Sequence, residues 1–239
     1  LAERGVMFGF SATITRENAE SICTDAFIDQ RIEEGDLFGW FFLLQPIGRS
    51  PRPDLMATAD QRALLRETVL RWRQEDRPIF LGDFWNDGPL VDGCMAGGRY
   101  YFHVYANGDI SPCVFSPVAC GNVLEILEGR GRYDSLADFI QNNPVFAAYR
   151  AEQEFIHDRN RPCLLIDHPE AFRRITAAGE CRPAPNMPPD YLDGEIAEAV
   201  DQAAGDWAAR AADLPPFPRS RAAPDARSER PAGSRSRSD

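Results

Sequence analysis

Two cysteines bracket a predicted β-hairpin, and their spacing limits the possible folds more than any other feature of the chain. Thirteen residues separate Cys94 from Gly108, and four separate Gly108 from Cys113. Asn107-Gly108 stands between two strand-like stretches. Asn-Gly is the strongest short-range signal for a two-residue hairpin turn, because both turn positions need a positive φ. Such a turn would pair Phe102 with Cys113 across the hairpin.

His103 would then pair with Pro112 and point away from Cys113, which argues against this histidine as a ligand beside that cysteine.

The chain contains six cysteines in all: Cys23, Cys94, Cys113, Cys120, Cys163 and Cys181. Soft thiolate ligands favour zinc or an iron–sulfur cluster. The spacings are not the paired Cys-x-x-Cys knuckles of a zinc ribbon. Several unrelated buried thiols are the alternative, since free cysteine is among the most buried residues.

The first ninety residues predict strands alternating with helices. Strand-like stretches cover residues 6–14, 39–45 and 79–81. Thr24 can cap one helix, and Thr58 with Gln61 forms a capping-box pattern before another. This order predicts a βαβαβ unit of an α/β fold. Three parallel strands leave open edges, which favours the second half of a barrel, with a small complete α/β domain as the alternative.

From Gly93 onward, the sequence consists of glycine turns, short strand-like stretches and cysteines instead of long strands and helices. After the hairpin, Ser135 and Asn143 can each cap a helix, and an alanine-rich helix is predicted from Gly194 to Ala211. Residues 219–239 contain no Leu, Ile, Val or aromatic residue and carry six Arg against three acids. They predict a solvated, disordered tail, with a basic docking arm as the alternative. The predicted domains are residues 1–90, 91–175, 176–211 and 212–239.

Composition excludes two classes of partner. The formal net charge is -11, with 37 acids, and all 26 basic residues are arginine. A nucleic-acid-binding surface needs a net basic face, so none is expected. No apolar run reaches the roughly 18 residues that a membrane span needs. The polar start lacks the pattern of a signal peptide, so the expected location is the cytoplasm and the sequence is expected to begin inside a larger protein.

Residues around the cysteines resemble a known family in order along the chain. The matching segments are Asp83-Phe84-Trp85-Asn86-Asp87-Gly88, Gly93-Cys94-Met95-Ala96-Gly97-Gly98-Arg99-Tyr100-Tyr101, His103, Asn107-Gly108-Asp109, Pro112-Cys113-Val114-Phe115, Gly121-Asn122-Val123 and Arg161-Pro162-Cys163. Together with the spacing above, they resemble radical S-adenosylmethionine (SAM) enzymes that carry a SPASM or twitch C-terminal domain. The resemblance covers about residues 5–175, and residues 94–123 are its most specific part.

The resemblance implies an auxiliary [4Fe-4S] cluster. Cys94, Cys113 and Cys163 match its ligands best, and Cys120 is the expected fourth ligand, unless the fourth position is open to substrate or water. Cys23 and Cys181 lie outside the pattern and are expected to be ordinary thiols.

The resemblance also implies a fold: the C-terminal half of a partial (β/α)6 TIM-like barrel, followed by a small α+β cluster-binding domain. The chain departs from the family at one decisive point. The Cys-x-x-x-Cys-x-x-Cys loop that binds the SAM cluster is absent, and so is the glycine-rich segment that holds the methionine end of SAM. The expectation is therefore truncation upstream, and this chain alone is not expected to cleave SAM.

For the intact protein, the resemblance implies an oxidoreductase that forms a 5′-deoxyadenosyl radical from SAM and abstracts hydrogen from a substrate. It implies SAM, a second [4Fe-4S] cluster and an electron donor such as a flavodoxin or ferredoxin. The substrate would be a small molecule or a peptide.

Candidate SAM- or substrate-binding residues follow from strand positions, because reactive groups in α/β barrels lie at the C-terminal ends of strands. They are Ser11, Thr13, Gln45, Asp83 and Asn86. Asp83 and Asn86 could equally build a turn. Arg99 could offset thiolate charge beside the cluster or pair with an acid.

Two other functions remain open from the sequence. The first is a non-catalytic zinc or iron–sulfur module that acts as a scaffold or electron relay. The second is a disulfide-stapled secreted domain, against which the missing signal peptide counts.

Overall fold

The first part of the chain forms a parallel sheet with helices on one side. The computed structural model describes residues 1–185, 187–215 and 217. The first elements are β1 (Gly9–Ile14), α1 (Ala19–Ile22), α2 (Asp25–Glu33), β2 (Phe38–Leu43), α3 (Ala59–Gln74) and β3 (Phe80–Asp83). The strands pair in parallel in the order β1, β2, β3. The predicted βαβαβ order is confirmed, and the described residues contain no closed barrel.

The helix starts agree with the capping patterns in the sequence. The Thr24 hydroxyl accepts the Phe27 N–H at 3.2 Å and begins α2. At the start of α3, the Gln61 N–H donates to the Thr58 hydroxyl at 3.2 Å. The Gln61 side chain accepts the Thr58 N–H at 3.0 Å. Each cap satisfies backbone donors that the first helical turn leaves free.

The two faces of the sheet differ in burial. Phe41 of β2 is fully buried against Trp72 of α3, with ring centroids 6.2 Å apart. On the opposite face, Ser11 is exposed, and Trp40 and Phe80 are 39% and 67% exposed. The helices therefore cover one face of the sheet, and the described residues leave much of the other face open.

The second part is built from short strands and helices. Its elements are α4 (Gly88–Val91), β4 (His103–Val104), β5 (Asp109–Ser111), β6 (Val118–Ala119), β7 (Gly121–Asn122), α5 (Val123–Leu127), α6 (Leu136–Asn142), α7 (Pro144–Phe155), α8 (Pro169–Ala178), β8 (Arg182–Pro183) and α9 (Glu195–Ala212). Strands β4, β5 and β7 form one antiparallel sheet, and β6 pairs with β8 in another. Short 3-10 turns lie at Ala2–Arg4, Pro53–Leu55 and Pro189–Tyr191.

The predicted hairpin exists, but its predicted register is wrong by one residue. The Tyr105 N–H donates to the Asp109 carbonyl, so three residues, not two, form the loop. Only Gly108 in this loop has a positive φ, at +86°. Asn107 keeps a negative φ because its side chain accepts the Asp109 N–H at 3.2 Å.

The observed pairing therefore places His103 opposite Ser111. Continued along the strands, this register sets Tyr101, and not Phe102, opposite Cys113. His103 therefore points to the same face of the hairpin as Cys113, contrary to the prediction that it points the other way. Its ring packs edge-on against Tyr105, with centroids 4.5 Å apart.

The last helix joins the two parts of the chain. Helix α9 begins after Gly194, as predicted, and packs on α3. The Arg62 guanidinium lies 4.1 Å from the centre of the Trp207 ring. Leu214 is also buried beside Trp207 and Ala63. Of the predicted tail, residues 216 and 218–239 lie outside the described residues.

Among the described residues, no helix is both long and apolar enough to cross a membrane.

Candidate functional site

Three of the predicted ligand cysteines line one pocket. Cys94, Cys113 and Cys163 come from segments far apart in the sequence and line a single pocket that is partly open to solvent. The other lining side chains are mostly apolar or aromatic and include Phe84, Trp85, Tyr101, Phe115 and Leu165. Among the described residues, no carboxylate or imidazole side chain lines this pocket. The pocket thus offers three cysteine sulfurs, beside the thioether of Met95, in mostly apolar surroundings.

The cysteine side chains interact with one another. The neighbouring Cys94 side chain is the largest cause that raises the pKa of Cys163 well above its usual range, and burial adds to it. Burial also raises the pKa of Cys113 to about 12. These two thiols therefore stay protonated at neutral pH unless a cation in the pocket compensates a thiolate.

Tyr101 and the backbone hold the sulfur of Cys113. The Tyr101 hydroxyl lies 2.8 Å from the Cys113 Sγ, and the Phe115 N–H donates to the same sulfur at 3.5 Å. The one-residue shift of the hairpin register is what sets Tyr101 opposite this cysteine.

Gln153 connects the loops of the other two cysteines. This glutamine lies on α7 and is 5% exposed. Its Oε1 accepts the Cys94 N–H at 2.9 Å, and its Nε2 donates to the Pro162 carbonyl at 3.1 Å. One buried amide therefore fixes the backbone beside both Cys94 and Cys163.

Asp167 positions Cys163 from the other side. Its Oδ2 accepts the Cys163 N–H at 3.0 Å, and its Oδ1 lies 2.6 Å from Nη1 of Arg62. Arg62 also donates from Nε to Asn86 Oδ1 at 3.0 Å. Helix α3 of the parallel sheet thereby holds the loop that carries Cys163.

The structure does not bring Cys120 to the other three cysteines. Cys120 is 6% exposed and does not line their pocket. Its Sγ lies 2.8 Å from the Sγ of Cys181 instead. Cys23, the sixth cysteine, packs at the edge of the core near α1, and burial raises its pKa to about 12. All six cysteines are free thiols.

The chemistry of the pocket fits an iron–sulfur cluster in its donor atoms. Three soft sulfur ligands on apolar walls suit iron–sulfur or zinc binding. The buried Trp85 Nε1 in this wall has no hydrogen-bond partner among the described residues. Within residues 1–185, 187–215 and 217, no set of three or more His, Cys, Asp or Glu side chains already stands in a metal-binding arrangement. The sulfurs line the pocket but do not form a coordination shell by themselves.

Ser11 and Thr13 lie on the open face of the parallel sheet. Both are exposed, and they pair in register with Trp40 and Phe42 of β2. The Phe42 ring is 5.2 Å from that of Phe84, which lines the cysteine pocket. An aromatic surface therefore runs from these two hydroxyls to the pocket.

Gln45 does not reach the cysteine pocket. It is 9% exposed and lines a different, smaller cavity together with Arg62 and Trp207. Its Oε1 has no hydrogen-bond partner among the described residues.

Asp83 and Asn86 form a turn, which was the alternative to a binding role. The Asp83 carboxylate accepts the Asn86 N–H at 3.3 Å and the Asn86 Nδ2 at 2.7 Å. Both residues are 2% exposed. Burial, followed by the nearby Asp87 charge, raises the pKa of Asp83 to about 7. Asp83 and buried Leu81 alternate with exposed Phe80 and half-buried Gly82, so Asp83 faces the helix-covered side of the sheet.

Arg99 pairs with an acid and with the backbone. Its Nη2 lies 3.6 Å from an Asp92 carboxylate oxygen, and its Nη1 donates to the Cys94 carbonyl at 3.1 Å. It therefore helps to shape the Cys94 loop, and it does not line the pocket.

Sequence reasoning missed the residues that position the cysteines. Gln153 and Arg62 are polar residues on amphipathic helices, where the pattern predicts solvent exposure. The sequence offers only a weak signal that Asp167 is buried: this single acid directly follows the apolar run Leu164-Leu165-Ile166. Nothing in the sequence distinguished Gln153.

Comparisons with known proteins do not identify a family for this chain. Neither the family models, nor the curated proteins, nor the solved structures give a match to this chain. Function must therefore be argued from the site and not from the fold.

Proposed function

We propose that the chain is the C-terminal portion of a radical SAM iron–sulfur oxidoreductase, in which Cys94, Cys113 and Cys163 hold an auxiliary [4Fe-4S] cluster. One observation carries the proposal: three thiols from distant segments line a single apolar pocket. Phe84 and Trp85, which directly follow β3, form part of its wall. Ligands of open α/β sheets bind outside the carboxyl ends of the strands, where this pocket lies.

The residues of the chain have distinct roles in this proposal. The three cysteines would ligate the cluster, and its fourth iron position would be open to substrate or water, because Cys120 lies elsewhere. When bound, the cluster would supply one-electron transfer and a site for substrate coordination. As a ligand, the Cys113 sulfur would be ionised and would accept hydrogen bonds from the Tyr101 hydroxyl and the Phe115 N–H, and hydrogen bonds of this kind tune cluster potential.

The open face of the sheet supports a substrate site beside the pocket. The hydroxyls of Ser11 and Thr13 and the ring of Trp40 are exposed on that face. A small molecule or a peptide would stack on the aromatic rings and hydrogen-bond the hydroxyls while its reacting end lies near the cysteines.

The sheet edges support the partial-barrel part of the proposal. Among the described residues, β1 and β3 each pair only with β2, so both outer edges lack a strand partner. Unpaired edges next to an open face favour completion by further strands. SAM and a second [4Fe-4S] cluster would bind in that remainder of a cytoplasmic protein, with a flavodoxin or ferredoxin as electron donor.

A non-catalytic zinc or iron–sulfur module is the second candidate. The observation that favours it is the lack of any Cys-x-x-x-Cys-x-x-Cys sequence in the 239 residues. Such a module would use the same three cysteines as a scaffold or electron relay.

Anaerobic reconstitution of the full chain tests the proposal. The chain is incubated with iron and sulfide in one sample and with zinc in another, then desalted and analysed for metal and sulfide. The proposal predicts about four iron and four sulfide per chain, with broad visible absorbance. Stoichiometric zinc in the second sample and no bound iron in the first would overturn it in favour of a zinc module.

A further inference from the structure

Cys120 and Cys181 face each other across the two-stranded sheet of β6 and β8. Ala119 pairs with Arg182 in antiparallel register, so the next pair along the ladder is Cys120 with Cys181. Their sulfur atoms are 2.8 Å apart, and both are free thiols. Directly opposed antiparallel residues have Cα atoms roughly 4.5–5.5 Å apart, which is within the range that a disulfide bridges.

The backbone around this pair is well fixed. The Ser111 and Ser116 hydroxyls both donate to the Val118 carbonyl, at 2.7 and 3.1 Å. The Cys120 N–H donates to the Ile110 carbonyl at 2.8 Å. Because the two sulfurs are already 2.8 Å apart on directly opposed strand positions, a bond between them would need little movement of β6.

The surroundings give a small oxidant access to both thiols. Cys120 lines one surface pocket with Arg132 and Arg182, and Cys181 lines the neighbouring pocket with Arg173 and Arg182. These guanidinium groups are already paired with Glu180, Asp201 and Asp109, so the pockets admit a small reagent without selecting it by charge. Cys181 is the more exposed of the two thiols.

The two thiols differ in their access to solvent. Cys120 is 6% exposed, whereas Cys181 is half-buried. Because the attacking thiolate must reach the reagent, Cys181 is the attacking residue and Cys120 the one that completes the bond.

We infer that Cys120 and Cys181 form a reversible disulfide by exchange with a small disulfide of the oxidised glutathione class. The Cys181 thiolate attacks one sulfur of the reagent, whose S–S bond breaks and releases one thiolate. Cys120 then loses its proton and attacks Cys181 Sγ, which releases the second thiolate. The two cysteines lose two electrons and two protons, and the reagent becomes two thiols.

The bond would tie distant segments together. It would close a loop between residues 61 positions apart and join β8, between α8 and α9, to the hairpin part of the chain. Neither thiol lines the cysteine pocket, so this inference does not depend on the proposed cluster. A transient regulatory disulfide of this kind is compatible with a reducing compartment.

The test treats the full chain with oxidised glutathione, blocks the remaining thiols by alkylation and maps the peptides by mass spectrometry. The expected product is a Cys120–Cys181 cross-linked peptide that dithiothreitol reverses. Cys23 is a half-buried thiol that has no cysteine beside it among the described residues, so it should remain a free thiol and be alkylated. The variant C23S should form the same Cys120–Cys181 cross-link as the wild type.

Two single variants test the order of attack. C120S should accumulate a glutathione adduct on Cys181, and C181S should form an adduct on Cys120 more slowly, because Cys120 is the more buried thiol. The inference is overturned if Cys120 and Cys181 of the wild type are still free thiols, and are therefore alkylated, after treatment with saturating oxidant. It is also overturned if either cysteine cross-links to a different one.

Discussion

Arg62 and Asp167 form a buried ion pair that joins the parallel sheet to the cysteine pocket. Arg62 Nη1 lies 2.6 Å from Asp167 Oδ1, and the two side chains are 6% and 0% exposed. The other carboxylate oxygen of Asp167 accepts the Cys163 N–H. The position of Cys163 therefore depends on a residue of α3, about one hundred positions earlier in the chain.

The first prediction concerns this pair. D167N keeps the size of the side chain but leaves the Arg62 charge buried without its partner, which costs about 3 kcal/mol of the free energy of unfolding. Urea unfolding monitored by circular dichroism measures the change. D54N is the control, because Asp54 pairs with Arg52 at the surface with 61% of its side chain exposed, and such exposed pairs contribute little to stability. Equal losses in the two variants would contradict the role given to Asp167.

The second prediction concerns Gln153, the buried amide that bridges two cysteine loops. Q153L leaves the Cys94 N–H and the Pro162 carbonyl without their partners, so we expect a loss of roughly 2 kcal/mol in the free energy of unfolding. Q141L is the matched control, since Gln141 is exposed on α6. If Q153L unfolds at the same urea concentration as Q141L, the bridge does not stabilise the loops.

The third prediction uses two glycines with similar backbone angles. A Cβ on Gly97, at φ +69°, would lie 2.7 Å from the ring of buried Tyr149. A Cβ on Gly129, at φ +64°, would have nothing within 4 Å. G129A should therefore lose only the roughly 1 kcal/mol of the left-handed conformation. G97A should lose about 1–3 kcal/mol more, because it also overpacks the core.

Thermal unfolding of both variants separates the cost of the left-handed conformation from the cost of overpacking. A similar melting temperature for G97A and G129A would show that the loop after Cys94 can move away from Tyr149, and the close packing described here would be contradicted.

The fourth prediction concerns pH. Burial raises the pKa of Asp83 to about 7 in the folded chain. An unfolded aspartate titrates near pH ~3.9, so between these values the folded state binds more protons than the unfolded state. The contribution of this carboxyl to stability is fully present below pH ~4 and is lost as the pH rises through about 7. The free energy of unfolding should fall by roughly 2 kcal/mol more in the wild type than in D83N between pH 5 and pH 8.

Urea titrations at several pH values measure that difference. Asn at position 83 can still accept the Asn86 N–H, so the variant keeps part of the turn. Parallel pH profiles for the two proteins would contradict the raised pKa of Asp83.

The sequence predicted local structure well. The caps at Thr24 and Thr58, the parallel strand order and the last helix depend on neighbouring residues and on apolar periodicity, and all are observed. The hairpin register was wrong because the Asn107 side chain bonds its own backbone two residues on, which favours a three-residue loop over the two-residue turn.

Long-range partners could not be predicted. The contact between Cys120 and Cys181 requires pairing of β6 with β8, two very short strands without a periodic pattern. The burial of Arg62 likewise depends on α9 and on the Cys163 loop folding back onto α3. Cys94, Cys113 and Cys163 were identified by spacing and resemblance, and their common pocket is a property of the fold.

The most direct test of the proposed metal centre is the iron content of matched cysteine variants after anaerobic reconstitution. C94A, C113A and C163A should each lose bound iron and the broad visible absorbance, because each removes one of three sulfur ligands. C120A should keep about four iron per chain, since its sulfur lies beside Cys181. Full iron content in C113A, or loss of iron in C120A alone, would contradict the assignment.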